Sequence, residues 1–172
     1  MMKHNLNLDI AEAGWLQALT SAETISAEVF THVLDYISAH ETIDFLQTGK
    51  PVSVNLCLSN DSEVHILNRN FRGKDKPTNV LSFANIDDDN FDEDCQLNDC
   101  IELGDIIIAL ETMQREAAEQ NISLHDHYCH LLTHGLLHLS GYDHMEEDEA
   151  QEMESLETAI LKQMNIANPY ED

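Results

Sequence analysis

Apolar and polar residues alternate in HNLNLDI, with Leu6, Leu8 and Ile10 on one side, which predicts a half-buried strand over residues 4–10. The alternation is cleaner in PVSVNLCLS, where Val52, Val54, Leu56 and Leu58 mark a second strand after a turn at Gly49, Lys50 and Pro51. Two further apolar runs, TNVLSFAN and ELGDIIIAL, predict two strands that pair with each other. Between these runs lies IDDDNFDEDCQLNDC, and the stretch from Asp87 to Glu102 carries eight acidic residues. Residues 86–102 are therefore expected to be a mobile, solvated loop rather than packed structure.

Helical spacing takes over elsewhere. Ile25, Val29, Val33, Leu34 and Ile37 predict a helix over 22–39, and Asn60 or Asp61 can cap another over about 62–70, ending before Gly73. Three more helices are expected at about 111–120, 125–139 and 146–164. In the last, Met153, Leu156, Ile160 and Met164 form one apolar face, while Glu146, Glu147, Asp148 and Glu149 crowd the N-terminal end, where they favour the helix dipole. The expected fold class is α+β: a single domain over residues 1–172 in which a small mixed β-sheet packs with about five helices.

Composition adds constraints. A chain of 172 residues, 42% of them apolar, can bury one core. No stretch approaches the roughly 20 apolar residues of a membrane span, and MMKHNLNLDI lacks the apolar centre of a signal peptide, so a cytoplasmic location without membrane contact is expected. Cys57, Cys95, Cys100 and Cys129 form no C-x-x-C pair and read as reduced thiols, with Cys57 and Cys129 in the core. The net charge of −25 argues against wholesale binding to nucleic acid. Its distribution alters that picture, because four of the eight lysines and arginines (Arg69, Arg72, Lys74 and Lys76) fall in RNFRGKDK. By itself such a loop is most simply a solvated one.

The chemistry concentrates near the C-terminal third. Six of the ten histidines lie between 125 and 144, and HGLLHLSGYDH sets His134 and His138 one helical turn apart on the same side. Gly141 then breaks the helix, so that a turn can return His144 as a third nitrogen ligand to one zinc ion and leave the fourth position for water. Beside zinc the pKa of water falls from about 15.7 to about 7. His130 belongs to the same helical stripe, but His130 and His138 stand about 12 Å apart along the axis, too far to share a tetrahedral ion with His134. His130 is assigned a supporting or packing role, and Asp143 is a candidate to orient a ligand or a water. The spacing matches the metzincin protease pattern except at Gly135, where those enzymes carry the glutamate that serves as general base.

H-G-x-L-H-L-x-G-Y-D-H, taken with FRGKDKPTNVLSF and LGDIII, resembles the YbeY family of bacterial endoribonucleases, also called ribosomal RNA maturation factors. The match spans about residues 50–160 and departs at Ala84, where the family usually has proline. The resemblance implies a zincin-like helix, a single zinc ion on His134, His138 and His144, a phosphate-directed Arg72, and action on the 3′ end of small-subunit ribosomal RNA and in ribosome quality control. His138 and Arg72 are then the candidate catalytic residues, with Arg72, Lys74 and Lys76 binding substrate. The expected partners are single-stranded ribosomal RNA and a small-subunit ribosomal protein or an assembly GTPase. Two other readings stand beside this one: a non-catalytic ribosome-assembly factor with structural zinc, and a metalloprotease.

Overall fold

The computed structural model describes residues 4–170. Four strands, β1 (Asn5–Ile10), β2 (Val52–Ser59), β3 (Val80–Ala84) and β4 (Ile101–Ala109), form one mixed sheet in the order β1-β2-β4-β3. β1, β2 and β4 run parallel, and β3 is antiparallel to β4 at the edge. The expected pairing of the third and fourth strands is therefore present. The parallel placement of β2 beside β4 is a crossover that local alternation could not foretell.

Among the described residues seven α-helices surround the sheet: α1 (Gly14–Ala18), α2 (Ala22–His40), α3 (Asp61–Arg72), α4 (Phe91–Leu97), α5 (Leu110–Gln120), α6 (Leu124–Leu139) and α7 (Glu147–Gln163). Five of them are the predicted ones, with ends shifted by one or two residues. α1 and α4 are additional, and at five and seven residues they are too short to show a period in sequence. Each is anchored by one buried aromatic residue, Trp15 or Phe91. The long helix α6 fills the centre: Leu132, Leu136, Leu137 and Leu139 are buried among Leu56, Ile106 and Ile108 of the sheet. No described helix is long and apolar enough to cross a membrane.

α3 lies on the opposite face, where Val64 packs against Leu81 and Ala109, with Leu67, Phe83 and Ile107 alongside. This is why β4 reads as a continuous apolar run: it is covered on both sides. Asn60 caps α3 by accepting a hydrogen bond from the Glu63 backbone N–H at 2.9 Å. Asp61 instead reaches α5, accepting from the Thr112 N–H and hydroxyl.

Two expectations require correction. Cys57 does not enter the core: the side chains that point inward along β2 are Val52, Val54, Leu56 and Leu58, which leaves Cys57 half-buried on the other face beside Asn55 and Asp105. The segment 86–102 is not unpacked either. It forms a 3-10 turn over Asn85–Asp87 and then α4, whose Phe91 is buried edge-on to Phe45 with ring centroids 6.3 Å apart. One aromatic side chain is enough to seat an otherwise acidic segment on the core.

Candidate metal centre

α6 positions the first two histidines. His134 and His138 are one turn apart, and their Nε2 atoms face each other at 3.1 Å. Helix α6 ends at Leu139, and Gly141 follows with φ 107°, a conformation that side chains rarely adopt. The chain reverses there and delivers His144, so that ligand atoms of all three histidines lie within 4.8 Å of one another. The Asp143 carboxylate accepts a hydrogen bond from the His144 backbone N–H at 2.7 Å, holding the turn rather than a ligand ring.

Burial in the first place, and charge on His134 and His144 in the second, lower the His138 pKa to about 4. At neutral pH this imidazole is uncharged, which is the form that a metal ion binds. The donor set fits a divalent ion, since two nitrogens on one tetrahedral zinc sit about 3.3 Å apart at Zn–N distances of about 2.05 Å. Three neutral imidazoles suit zinc, and also nickel or copper.

Gly135 packs where a protease would carry its base. A Cβ there would stand 3.1 Å from Ile106 Cγ2 and 3.3 Å from Ser82 Oγ, so the residue lets α6 approach the sheet closely. A longer side chain at this position would run into the sheet.

The basic loop reaches the histidines around the sheet edge. α3 and α6 lie on opposite faces, and β3 is the edge strand between them. Arg72, at the end of α3, donates from Nη2 to the Ser82 carbonyl at 2.5 Å, and its guanidinium lies 5.3 Å from the Phe83 ring centroid. The ladder bond from Ala109 N–H to Asn79 O turns Asn79, Leu81 and Phe83 toward β4, so the Ser82 carbonyl faces outward from the sheet. The loop itself is tied down. Buried Asn68 donates to Lys76 O at 2.8 Å, His65 meets Asp75 at 2.7 Å, and Asn79 donates to Glu116, which also meets His127 at 2.9 Å. Arg72, Lys74 and Lys76 thereby line the same cleft, of about 820 Å³, as His134, His138 and His144.

The family model described as Endoribonuclease YbeY matches residues 17–165. The chain belongs to the YbeY endoribonuclease family. Among its relatives, the Endoribonuclease YbeY of Rhodospirillum rubrum is 46% identical over 169 residues, covering 97% of this chain and 82% of the relative. That of Allorhizobium ampelinum is 42% identical over 170 residues, covering 99% and 96%. The fold is also that of the solution structure of TM1509 from Thermotoga maritima, with a TM-score of 0.53 at 21% identity over 97% of this chain and 99% of that one.

Two side chains beside this YbeY-family site escaped the sequence reading. Glu157 of α7 is fully buried, and one of its oxygens accepts a hydrogen bond from His134 Nδ1. Its other oxygen meets the Tyr170 hydroxyl and, at 3.2 Å, His130 Nε2. Burial pushes the Glu157 carboxyl up, but hydrogen bonds from His130 and His134 outweigh it and hold the group down to about 2. His130 thus stands outside the trio, bonded to the carboxylate behind it. A signal existed in the sequence: Glu157 is four residues after Met153 and three before Ile160, a charge set within the apolar face of its helix.

Proposed function

We propose that this chain is a zinc-dependent endoribonuclease that cuts single-stranded ribosomal RNA, acting in 3′-end maturation of the small-subunit RNA and in ribosome quality control. The observation that supports it best is the convergence of three imidazoles and a guanidinium on one cleft from opposite faces of the sheet. A divalent ion held by His134, His138 and His144 supplies Lewis acidity toward a phosphoryl oxygen and lowers the pKa of water. Arg72 is pre-positioned: with one N–H on Ser82 O, its remaining donors can fork two phosphate oxygens as negative charge builds up. Lys74 and Lys76 hold the backbone without reading bases.

The net charge of −25 opposes RNA binding everywhere except at this cleft. Delivery by a partner resolves the conflict, and an acidic surface suits a basic small-subunit ribosomal protein, with an assembly GTPase as the alternative. Peptide hydrolysis is disfavoured by Gly135, which leaves no room for the glutamate base.

The test is cleavage of a labelled single-stranded RNA by zinc-loaded protein, with zinc content measured in parallel. His138→Ala is expected to lose both zinc and cleavage, whereas Arg72→Ala keeps zinc and cuts at least about tenfold more slowly. Undiminished cutting by Arg72→Ala removes the arginine from the mechanism. Uncut RNA, together with an Arg72→Ala variant that still supports ribosome maturation in cells, would instead identify an assembly factor with structural zinc.

A further inference from the structure

Glu157 is the only buried carboxylate among the described residues, with no exposed surface at all. Its helix neighbours Met153, Leu156, Ile160 and Leu161 are buried apolar side chains. Stability alone does not call for an acid in such surroundings, because a buried ion pair is commonly no better than well-packed apolar groups. A desolvated carboxylate costs several kcal/mol unless every lone pair is used. Here the lone pairs are taken by His134 Nδ1, His130 Nε2 and the Tyr170 hydroxyl.

The direction of these bonds decides what the group does. An ionised carboxylate only accepts hydrogen bonds, so the proton between it and His134 must sit on Nδ1. In a neutral imidazole the other nitrogen is then bare, and His134 Nε2 is the atom that faces His138 Nε2 at 3.1 Å. The carboxylate therefore stands on the side of the ring opposite to the three-histidine cluster. It can neither ligate an ion there nor take a proton from a substrate in the cleft, but it can select the tautomer and fix the ring.

Tyr170 gives the network its outer wall. Its ring stands edge-on to His130 with centroids 5.5 Å apart, and its hydroxyl lies 3.2 Å from His130 Nε2 as well as on Glu157. The segment that carries it is pinned to α7, because the Asn168 side chain accepts from the Tyr170 N–H at 2.8 Å and from the Thr158 hydroxyl at 3.4 Å. Residues after α7 thus return to the cleft and complete the set.

We propose that Glu157 is a positioning residue for a divalent cation: held by His130 and Tyr170, it keeps His134 protonated on Nδ1 with Nε2 free toward the ion. Its negative charge also offsets part of the ion's charge, which three neutral imidazoles leave intact. This inference rests on the reading of His134, His138 and His144 as a metal centre.

Two measurements on the full chain test it without RNA. In metal-free protein labelled with 15N in histidine, two-bond nitrogen–proton NMR correlations read the His134 tautomer directly. The parent is expected to show the Nδ1–H form alone, and Glu157→Gln a mixture, because an amide can also donate to Nδ1. In competition with a chromophoric chelator, Glu157→Gln is expected to bind zinc about 10- to 100-fold more weakly. Tyr170→Phe, a change at a half-exposed ring that leaves the core intact, is expected to weaken binding about fivefold, the worth of one hydrogen bond. If Glu157→Gln does not fold, the parent tautomer and Tyr170→Phe carry the test. A parent with Nε2–H on His134, or variants that hold zinc within about twofold of the parent, overturn the proposal. So does weaker binding with an unchanged tautomer, which would be a charge effect alone, or a shift in thermal unfolding with neither readout altered. A parent that takes up no zinc at all removes the metal-centre reading itself, whatever the tautomer.

Discussion

Gly135 shows how one residue can redirect a motif. The histidine spacing around it is that of a protease, yet its α-carbon faces Ile106 and Ser82 and not an open site. Restoring the protease pattern with Gly135→Glu would therefore press an unpaired carboxylate between α6 and the sheet. The expected outcome is a loss of about 3 kcal/mol or more, read from urea unfolding, and no gain of peptidase activity on an unfolded protein. At this scale the metal-ligand candidates were legible because helical spacing and a glycine break are written in the order of the residues. Glu157 was not, since its role depends on a contact with His134 across 23 positions. A charge inside an apolar face was the visible trace of it, but the same face on α7 reads more simply as core.

Among the elements, the alternating strands and the five longer helices could be read from period alone, and the sheet order could not. Pairing of β2 with β4 depends on which surfaces are left to bury once the helices are placed, and no local pattern records that. The acidic segment before β4 teaches a related lesson. Eight acids outweighed one phenylalanine in composition, whereas in the fold the phenylalanine decides, since Phe91 is 7% exposed while most of the acids face solvent. Phe91→Ala is expected to cost about 3 kcal/mol in chemical unfolding, and Asp92→Asn to stay within about 0.5 kcal/mol of the parent. The same segment reaches the three-histidine cluster: Ile86 Cδ1 would lie 3.3 Å from a Cβ at Gly141, against the turn that delivers His144.

For the molecule as a whole, acid acts through one half-buried group, His138, and one buried group, Glu157, and against the background charge. The His138 pKa is lowered from 6.5 to about 4 on folding, so metal-free unfolded chain binds the extra proton between those values. Stability from this group is complete above about pH 6.5 and is lost as pH falls through about 4. Glu157 drops from 4.5 to about 2, and its contribution is present above 4.5 and lost as pH falls through about 2. Relief of self-repulsion at a net charge of −25 works in the opposite sense, so the comparison between variants carries the reading. Urea midpoints of metal-free protein should fall less steeply below about pH 4.5 in Glu157→Gln than in the parent, with the slope between about pH 6.5 and 4.5 retained. An equal slope in both proteins below that point would mean that Glu157 keeps its ordinary affinity for protons. Arg72 has one more consequence at this scale. β3, whose Ser82 carbonyl it holds, is one of the two edge strands of the sheet, where unpaired backbone groups invite a strand from another chain to add on. With its guanidinium seated on the outward carbonyl of Ser82, Arg72 occupies one of the backbone acceptors that such an added strand would need.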